Sequence, residues 1–302
     1  MLNQVKTLVL LGVMSALVVG IGGAVAPGHL WLFAAFALAT NLAAYFFSDR
    51  LVLALHRAQE LDPARAPQVH AMVAELASRA GIPKPRVFLI PELQPNAFAT
   101  GRNPAHGVVA VTEGIVQLLD PRELRGVLAH EIAHIAHRDI LVSSIAAAMS
   151  SLVTSVAHAL GFAAMLGGGR CADEEGEGGS AAGGLFLALV APLAATLVQL
   201  GISRSREYLA DEKGARLAGD PEALASALLK LEHAAQVVVP VAEPRPATAS
   251  LFIVNPLRGQ SLLRLFSTHP PVEERVRRLR EMSGAGSRPL IRSGGLSAFF
   301  AR

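Results

Sequence analysis

The sequence has little charge, few aromatic residues and one cysteine. Charged residues occupy 17% of its 302 positions, below the roughly 25% of typical soluble domains, whereas hydrophobic residues occupy 52%. So apolar a chain is not intrinsically disordered. A lone Cys171 excludes a disulfide framework and a cysteine-rich zinc site. With aromatic residues at 5%, the hydrophobicity is aliphatic, and the composition indicates a membrane protein.

Charge is missing from four long stretches of the chain. Because about 20 apolar helical residues cross a bilayer core, we predict four transmembrane helices, at about 7–26, 30–48, 140–166 and 184–203. Two alternatives remain open. The first stretch could be a cleaved signal peptide ending at Ala24-Val25-Ala26, although Pro27 and a second apolar span follow at once. The last two could form a buried soluble hairpin.

Basic residues near the spans predict the orientation in the membrane. The acidic, glycine-rich loop 167–183 contains one basic residue, Arg170. The other side contains Lys6, Arg50, Arg57, Arg138, Arg204 and Arg206. We therefore expect a multi-pass protein of the inner (cytoplasmic) membrane, with both termini and the bulk of the chain in the cytoplasm. The basic residues are scattered and suit an anionic lipid bilayer, so no nucleic-acid partner is expected.

Outside the spans, the pattern predicts a mainly helical domain with a small sheet, divided between 49–139 and 204–282. Its first part should contain helices at 64–80, 114–119 and 121–138 and strands at 87–90, 96–100 and 106–112. Its second part should contain helices at 203–218, 221–236 and 271–282, a proline-rich loop at 237–259 and then a flexible tail at 283–302. The hairpins 1–48 and 140–203 complete the predicted organisation.

The helix that begins at Asp120-Pro121 contains an H-E-x-x-H motif, His130-Glu131-Ile132-Ala133-His134. A spacing of four places both imidazoles on one helix face, where they can share a zinc ion. The glutamate between them is then suited to act as general base on the attacking water. A solvated helix with coincident residues is the alternative.

A hydrolytic zinc needs a third protein ligand. His137 lies on the same helix, but one straight helix cannot easily wrap three side chains around a tetrahedral ion. We therefore predict Glu207, with Asp211 one turn later as a carboxylate that holds a ligand histidine. The histidine pair directly precedes the third span and Glu207 directly follows the fourth, so a membrane hairpin should return Glu207 to the same membrane face.

Five segments together carry a resemblance to a known family: PNAFATG at 95–101, VAVTEGIVQLL at 109–119, HEIAH, SRSREYLAD and FSTHPPVEERVRRL at 266–279. They resemble the bacterial HtpX family, membrane zinc metalloproteases of protein quality control that are related to the CaaX prenyl protease. The resemblance implies a zincin-like (gluzincin) α+β protease domain with one Zn²⁺ per chain. It implies His130, His134 and Glu207 as ligands, Glu131 as catalytic residue, and cytoplasmic cleavage of misfolded or short-lived membrane proteins.

Weaker candidates lie elsewhere in the chain. The stretch Asn96, Ala97, Phe98 and Ala99 is predicted to be a strand edge that pairs with substrate backbone, with a plain structural strand as the alternative. His269 is a candidate donor to the developing oxyanion, or else a structural turn residue, and Arg204 and Tyr208 are weaker candidates for that role. His158 is interpreted as a packing residue and Cys171 as an incidental thiol.

Two other functions remain as rivals. An intramembrane-cleaving metalloprotease would place H-E-x-x-H inside a span, which Arg122, Glu123 and Arg125 on the same helix disfavour. A non-catalytic membrane scaffold or chaperone would bind no metal.

Overall fold

The computed structural model describes residues 2–25, 27–148, 204–237 and 270–286. Helices α1 (Leu2–Val25) and α2 (Leu30–Leu55) form an antiparallel hairpin around a short 3-10 turn at Pro27–His29. The side-chain amide of Asn41 on α2 donates to the hydroxyl of Ser15 on α1 at 2.7 Å. Neither helix has a distinct polar face, as expected of helices in a bilayer.

Within the described ranges, α2 is the one helix both long and apolar enough to cross a membrane, and α1 contributes a shorter apolar stretch, Thr7–Gly20. Of the third predicted span, residues 140–148 are described. They form the start of a helix, α6, whose Ile145 packs with Leu10 of α1 and Ala44 of α2. The rest of the third span and the whole fourth span lie outside the described residues. The four-span arrangement therefore stays a prediction.

A four-stranded sheet with the order β1-β2-β4-β3 packs against the helix that contains the H-E-x-x-H motif. Its strands are β1 (Gln59–Glu60), β2 (Arg86–Ile90), β3 (Ala97–Thr100) and β4 (Val108–Thr112). β2 and β4 run parallel, while β1 and β3 are antiparallel edge strands. The two-residue β1 was not predicted, because its exposed residues Gln59 and Glu60 carry no alternating apolar pattern. The predicted small sheet is therefore present with one additional strand.

Six helices complete the domain: α3 (Pro67–Ala80), α4 (Glu113–Leu118), α5 (Pro121–Ala136), α7 (Arg204–Ala218), α8 (Pro221–Val237) and α9 (Val272–Gly286). The largest apolar core joins α3, one sheet face, α5, α8 and α9 around fully buried residues such as Leu76, Val109, Leu128 and Leu224. Helix α5 is therefore central, and most of its residues from Leu124 to Ile135 are buried.

The end of α5 differs from the prediction of a helix to about Arg138. The helix ends at Ala136, His137 is its C-cap, and Arg138 adopts a left-handed φ of 57°. The chain then enters α6 at residue 140. This turn separates α5 from the start of the third apolar segment, and it points the carboxylate of Asp139 back toward His134.

Candidate metal centre

The position of α5 is fixed by its N-terminus. The carboxylate of Asp120 accepts hydrogen bonds from the backbone N–H groups of Arg122 and Glu123. The side-chain carboxylate of Glu123 accepts a hydrogen bond from the backbone N–H of Asp120, which completes a capping box. The buried carboxylate of Glu123 also accepts hydrogen bonds from Oγ of Ser226 and Nζ of Lys230, both at 2.7 Å. The cap therefore joins α5 to α8 and holds the helix that bears the H-E-x-x-H motif.

The two motif histidines converge as their spacing predicts. His130 is buried and His134 half-buried, and their Nε2 atoms lie 3.1 Å apart. Their rings are nearly perpendicular, with centroids 4.7 Å apart. Both Nε2 lone pairs are thus directed at one small volume beside α5.

Glu207 on α7 completes the group. Its Oε2 lies 3.7 Å from Nε2 of His130 and its Oε1 lies 3.7 Å from Nε2 of His134. One ligand atom from each of the three residues lies within 4.8 Å of the others. His137 is not part of this group. The structure therefore brings together the three residues that the sequence singles out.

Gly214 allows α7 to approach α5 this closely. A Cβ at this position would lie 2.8 Å from both Cα and N of His130, and 3.1 Å from the carbonyl carbon of Ala129. Gly214 lies seven residues after Glu207 and three after Asp211, so all three occupy one face of α7. A larger residue would move the Glu207 carboxylate away from the histidines. The sequence pattern did not mark Gly214, because helical glycines carry no ligand chemistry.

A carboxylate faces the second ring nitrogen of each histidine. Nδ1 of His130 lies 2.9 Å from Oδ1 of Asp211, the predicted partner. Nδ1 of His134 lies 3.1 Å from Oδ2 of Asp139, a residue that sequence reasoning missed. A carboxylate accepts protons, so both Nδ1 atoms carry hydrogen and both Nε2 atoms are left as acceptors. The signal that could have identified Asp139 is its position, since it is the acidic residue that directly follows the motif helix.

Arg275 on α9 is the second residue that sequence reasoning missed. Its side chain is fully buried, and its Nε and one terminal N–H group donate to the two carboxylate oxygens of Asp211, each at 2.7 Å. The Asp211 carboxylate raises the pKa of Arg275 above its usual range, although burial opposes the shift. A chain of contacts therefore runs from Arg275 through Asp211 to His130. In the sequence, Arg275 is one of several arginines on a charged helix.

The donor set fits a divalent cation of the zinc class. Two acceptor nitrogens 3.1 Å apart, beside a buried carboxylate, repel one another unless a cation lies between them. Tetrahedral coordination at about 2.1 Å separates ligand atoms by about 3.4 Å, close to the observed 3.1 and 3.7 Å. Two imidazoles and one carboxylate are a usual hydrolytic zinc set, and each imidazole already has the carboxylate partner that such ligands require.

Burial dominates the electrostatics of this site. It raises the pKa of Glu131 to about 8, with the Glu207 carboxylate adding to the shift and His134 opposing it. Burial lowers the pKa of His130. It also opposes the charged form of His134, but the carboxylates of Asp139 and Glu207 raise the pKa of that histidine. Without a cation the ring therefore favours a second proton at Nε2, and a bound metal ion would replace that proton. Glu131 is therefore buried beside another carboxylate, an environment that favours its protonated form.

Strand β3 forms the edge of the sheet beside Glu131. The N–H of Thr112 donates to the carbonyl of Asn96. Hydrogen-bonded pairs alternate in antiparallel sheets, so Asn96 and Phe98 pair with β4, while the backbone groups of Ala97 and Ala99 point outward. The backbone of Ala99 hydrogen bonds to the Glu131 carboxylate. Asn96 and Phe98 therefore use their backbone groups internally and Ala99 contacts Glu131, and the substrate edge at 96–99 stays a prediction.

The remaining candidates divide into two groups. His269, His158 and Cys171 lie outside the described residues, as does the side chain of Arg204. Tyr208 is half-buried, and the guanidinium of Arg278 lies 3.8 Å from its ring centroid. This cation–π contact attaches α7 to α9.

Comparisons with known proteins place this chain in a family and give several similar proteins. The model of peptidase family M48 matches residues 63–283. A protein from Syntrophobacter fumaroxidans, named protease HtpX homolog, is 54% identical over 281 residues, covering 93% of this chain and 99% of that protein. A Ralstonia pickettii protein of the same name is 49% identical over 96% of this chain and 100% of its own length. The crystal structure of S. mikatae Ste24p aligns with 92% of this chain and 65% of that chain, at 20% identity and a TM-score of 0.49.

Proposed function

The chain belongs to peptidase family M48, and from this premise we propose that it is a membrane-embedded zinc endopeptidase with His130, His134 and Glu207 as ligands. As an HtpX-type M48 protease it is a metalloprotease, a hydrolase of peptide bonds. One observation carries the ligand set: three donor atoms converge within 4.8 Å, and each imidazole faces a carboxylate on its other nitrogen.

The residues of this chain divide the chemistry among them. When bound, zinc lowers the pKa of a water molecule and polarises the scissile carbonyl. Glu131, adjacent to His130 on α5, takes the proton of the attacking water and passes it to the leaving amine. Burial raises the pKa of Glu131, which makes its carboxylate a stronger base toward that water. His269 remains our proposed donor to the oxyanion.

The outer edge of β3 is the proposed substrate site. An extended peptide can add to a sheet edge through backbone hydrogen bonds, with little dependence on its side chains. Ala97 and Ala99 direct their backbone groups outward beside Glu131. A peptide paired there would pass its scissile bond in front of the proposed base. Backbone recognition suits a protease that must accept many sequences.

We further propose that the substrates are misfolded or short-lived membrane proteins, cut at the cytoplasmic face in protein quality control and the stress response. The four-span, multi-pass arrangement in the inner membrane belongs to this proposal. It is supported by the apolar helix α2 and by the hairpin in which Leu10, Ala44 and Ile145 bring α1, α2 and α6 together.

The two rival functions make different predictions about α5. In an intramembrane protease this helix would face lipid. Instead, Arg125 forms an ion pair with Glu75 of α3, and Arg122 forms one with Asp220, both at exposed positions. A scaffold or chaperone needs no metal and would not require paired carboxylates behind both histidines. Both observations favour a protease domain in water.

Metal analysis of the purified chain tests the ligand set. We expect one zinc per chain in the wild type and in His137→Ala, and much less than one in His134→Ala. His137 is a matched control because it lies three residues from His134, at the end of the same helix, outside the ligand group. Stoichiometric zinc in His134→Ala would contradict the ligand set. A parallel degradation assay on a detergent-solubilised membrane protein tests the substrate class.

A further inference from the structure

Of the arginines whose side chains the structure describes, all but Arg206 fall into two groups; Arg206 is partly buried near the carboxylates of Asp139 and Glu207. Nine are held by a carboxylate: Arg79, Arg86, Arg122, Arg125, Arg216, Arg275, Arg277, Arg278 and Arg280. Within the described ranges, five have no carboxylate at ion-pairing distance: Arg50, Arg57, Arg65, Arg102 and Arg138. All except Arg65 lie where the apolar helices α2 and α6 meet the catalytic domain. Pairing is therefore absent mainly at one place in the fold.

Contacts among the apolar helices place two of these arginines, Arg50 and Arg138, at a similar depth. Leu10, Ala44 and Ile145 pack together, so the first turns of α6 lie beside the last apolar turns of α2. Arg50 follows Ala44 by six residues, about 9 Å along the helix, and Arg138 comes just before α6 begins.

Aromatic side chains mark the same depth. Phe46 and Phe47 are about half exposed on α2. The guanidinium of Arg50 lies 5.5 Å from the Phe47 ring centroid, and that of Arg102, on the turn after β3, lies 5.6 Å from Phe46. Trp31 is 68% exposed near the start of α2, about 22 Å from Phe46 along the helix axis. Aromatic residues at both ends of an apolar helix are typical of the two membrane interfaces.

We propose that Arg50, Arg102 and Arg138 form a basic collar that binds anionic phospholipid headgroups and sets the height of the catalytic domain above the bilayer. The proposal rests on the membrane placement in the proposed function. Guanidinium groups suit phosphate because they donate two parallel hydrogen bonds. The turn 101–106 adds no acidic residue to oppose this binding.

The collar has a consequence for substrate choice. Ala99 lies in β3, three residues before Arg102, which is on the turn that follows the strand. The backbone of Ala99 contacts Glu131, so only a few residues of chain separate the proposed base from the collar. Thr100 is hydrogen bonded at 2.7 Å to Ser144 of α6, which fixes this segment to the apolar helices. The collar therefore favours cleavage in peptide segments that lie close to the membrane surface.

Lipid titration of the full-length chain in detergent tests the collar. A fluorophore on Ala105→Cys, in a Cys171→Ser background, reports binding of short-chain phosphatidylglycerol, with phosphatidylcholine as the zwitterionic comparison. An arginine near an anionic surface contributes roughly a fivefold factor in affinity. We expect the triple variant Arg50→Gln, Arg102→Gln, Arg138→Gln to bind phosphatidylglycerol at least tenfold more weakly than the labelled parent.

The matched control is the triple variant Arg216→Gln, Arg277→Gln, Arg280→Gln, which removes the same charge from exposed arginines that pair with carboxylates. It should bind phosphatidylglycerol within twofold of the labelled parent. A collar variant within twofold of that parent, or a control weakened as much as the collar variant, would overturn the proposal.

Cleavage of a soluble unfolded polypeptide monitors the fold and the proposed function separately. The collar variant should retain this cleavage. If the collar variant loses this cleavage, the single variants Arg102→Gln and Arg138→Gln are tested in its place. Each should bind phosphatidylglycerol several-fold more weakly than the labelled parent, and unchanged affinity in both would refute the proposal. If the parent binds phosphatidylglycerol but cleaves no polypeptide, the proposed function fails while the collar stands.

Discussion

Replacing Gly214 with alanine should weaken zinc binding by roughly 10- to 100-fold. The added Cβ would lie 2.8 Å from Cα and N of His130, whereas carbon atoms at rest stay about 3.5–4.0 Å apart. The obstructing atoms belong to the α5 backbone and cannot rotate away. Helix α7 must therefore retreat by roughly 0.7 Å. Metal sites tolerate ligand displacements of only about 0.2 Å.

The energy of this change follows from two opposing effects. Overpacking of a tight contact costs about 1–3 kcal/mol, which corresponds to roughly a 5- to 150-fold change in an equilibrium constant. Alanine gains about 1 kcal/mol over glycine in a helix, so the loss of fold stability is partly offset. The displacement of Glu207 from the ligand group has no such offset. Zinc affinity should therefore fall more than the stability of the metal-free protein.

Competition with a chromophoric chelator measures zinc affinity, and thermal unfolding of the metal-free protein measures stability. Gly284→Ala on α9 is the matched control, because a Cβ there meets nothing within 4 Å. That variant should keep wild-type zinc affinity and gain slightly in Tm. If Gly214→Ala matches wild type in zinc affinity and gains in Tm as the control does, the close approach of α7 and α5 does not hold the site together.

Three further predictions concern the surroundings of the site. Arg275→Ala should lower the free energy of unfolding by about 3–5 kcal/mol, because it leaves the buried Asp211 carboxylate unpaired. Arg275→Lys should restore part of this loss, and equal unfolding free energies for both variants and wild type would contradict the prediction. The pKa of Glu123 is lowered because its hydrogen bonds to Lys230 and Ser226 outweigh burial. The ionised carboxylate therefore stabilises the fold above its ordinary pKa near 4.5, and this stabilisation is lost as the pH falls through the lower pKa of the folded state. Glu123→Gln should lose less stability on acidification than wild type, and an unchanged pH–stability curve would refute this. Ala97→Pro removes an outward N–H but none of the hydrogen bonds between β3 and β4. KM for unfolded polypeptides should therefore rise several-fold while Tm changes little. An unchanged KM would argue against the substrate edge.

The sequence predicts the elements of the catalytic domain well because their signals are local. The cap at Asp120 and the helical spacing of His130 and His134 are both read within one turn of chain, and the structure has the corresponding helix. Glu207 required a topological argument, since the predicted third and fourth spans separate it from the motif. Its position beside the histidines agrees with that argument.

The features that the sequence did not reveal depend on packing between distant segments. Arg275 matters because α9 brings it against Asp211, 64 residues away in the chain. Gly214 matters because two helices cross at that point. Asp139 matters because α5 ends early and Arg138 turns the chain back toward His134. None of these relations leaves a periodic or spacing signal, so pattern reasoning could not identify them.

The turnover of Glu131→Gln, measured together with its zinc content, tests the central claim most directly. The variant keeps the shape of the side chain but cannot accept a proton, and it leaves all three proposed ligands in place. The account predicts one zinc per chain and a loss of cleavage of at least 10²–10⁴-fold, the usual contribution of a general base. Cleavage at the wild-type rate by the zinc-loaded variant would contradict the account.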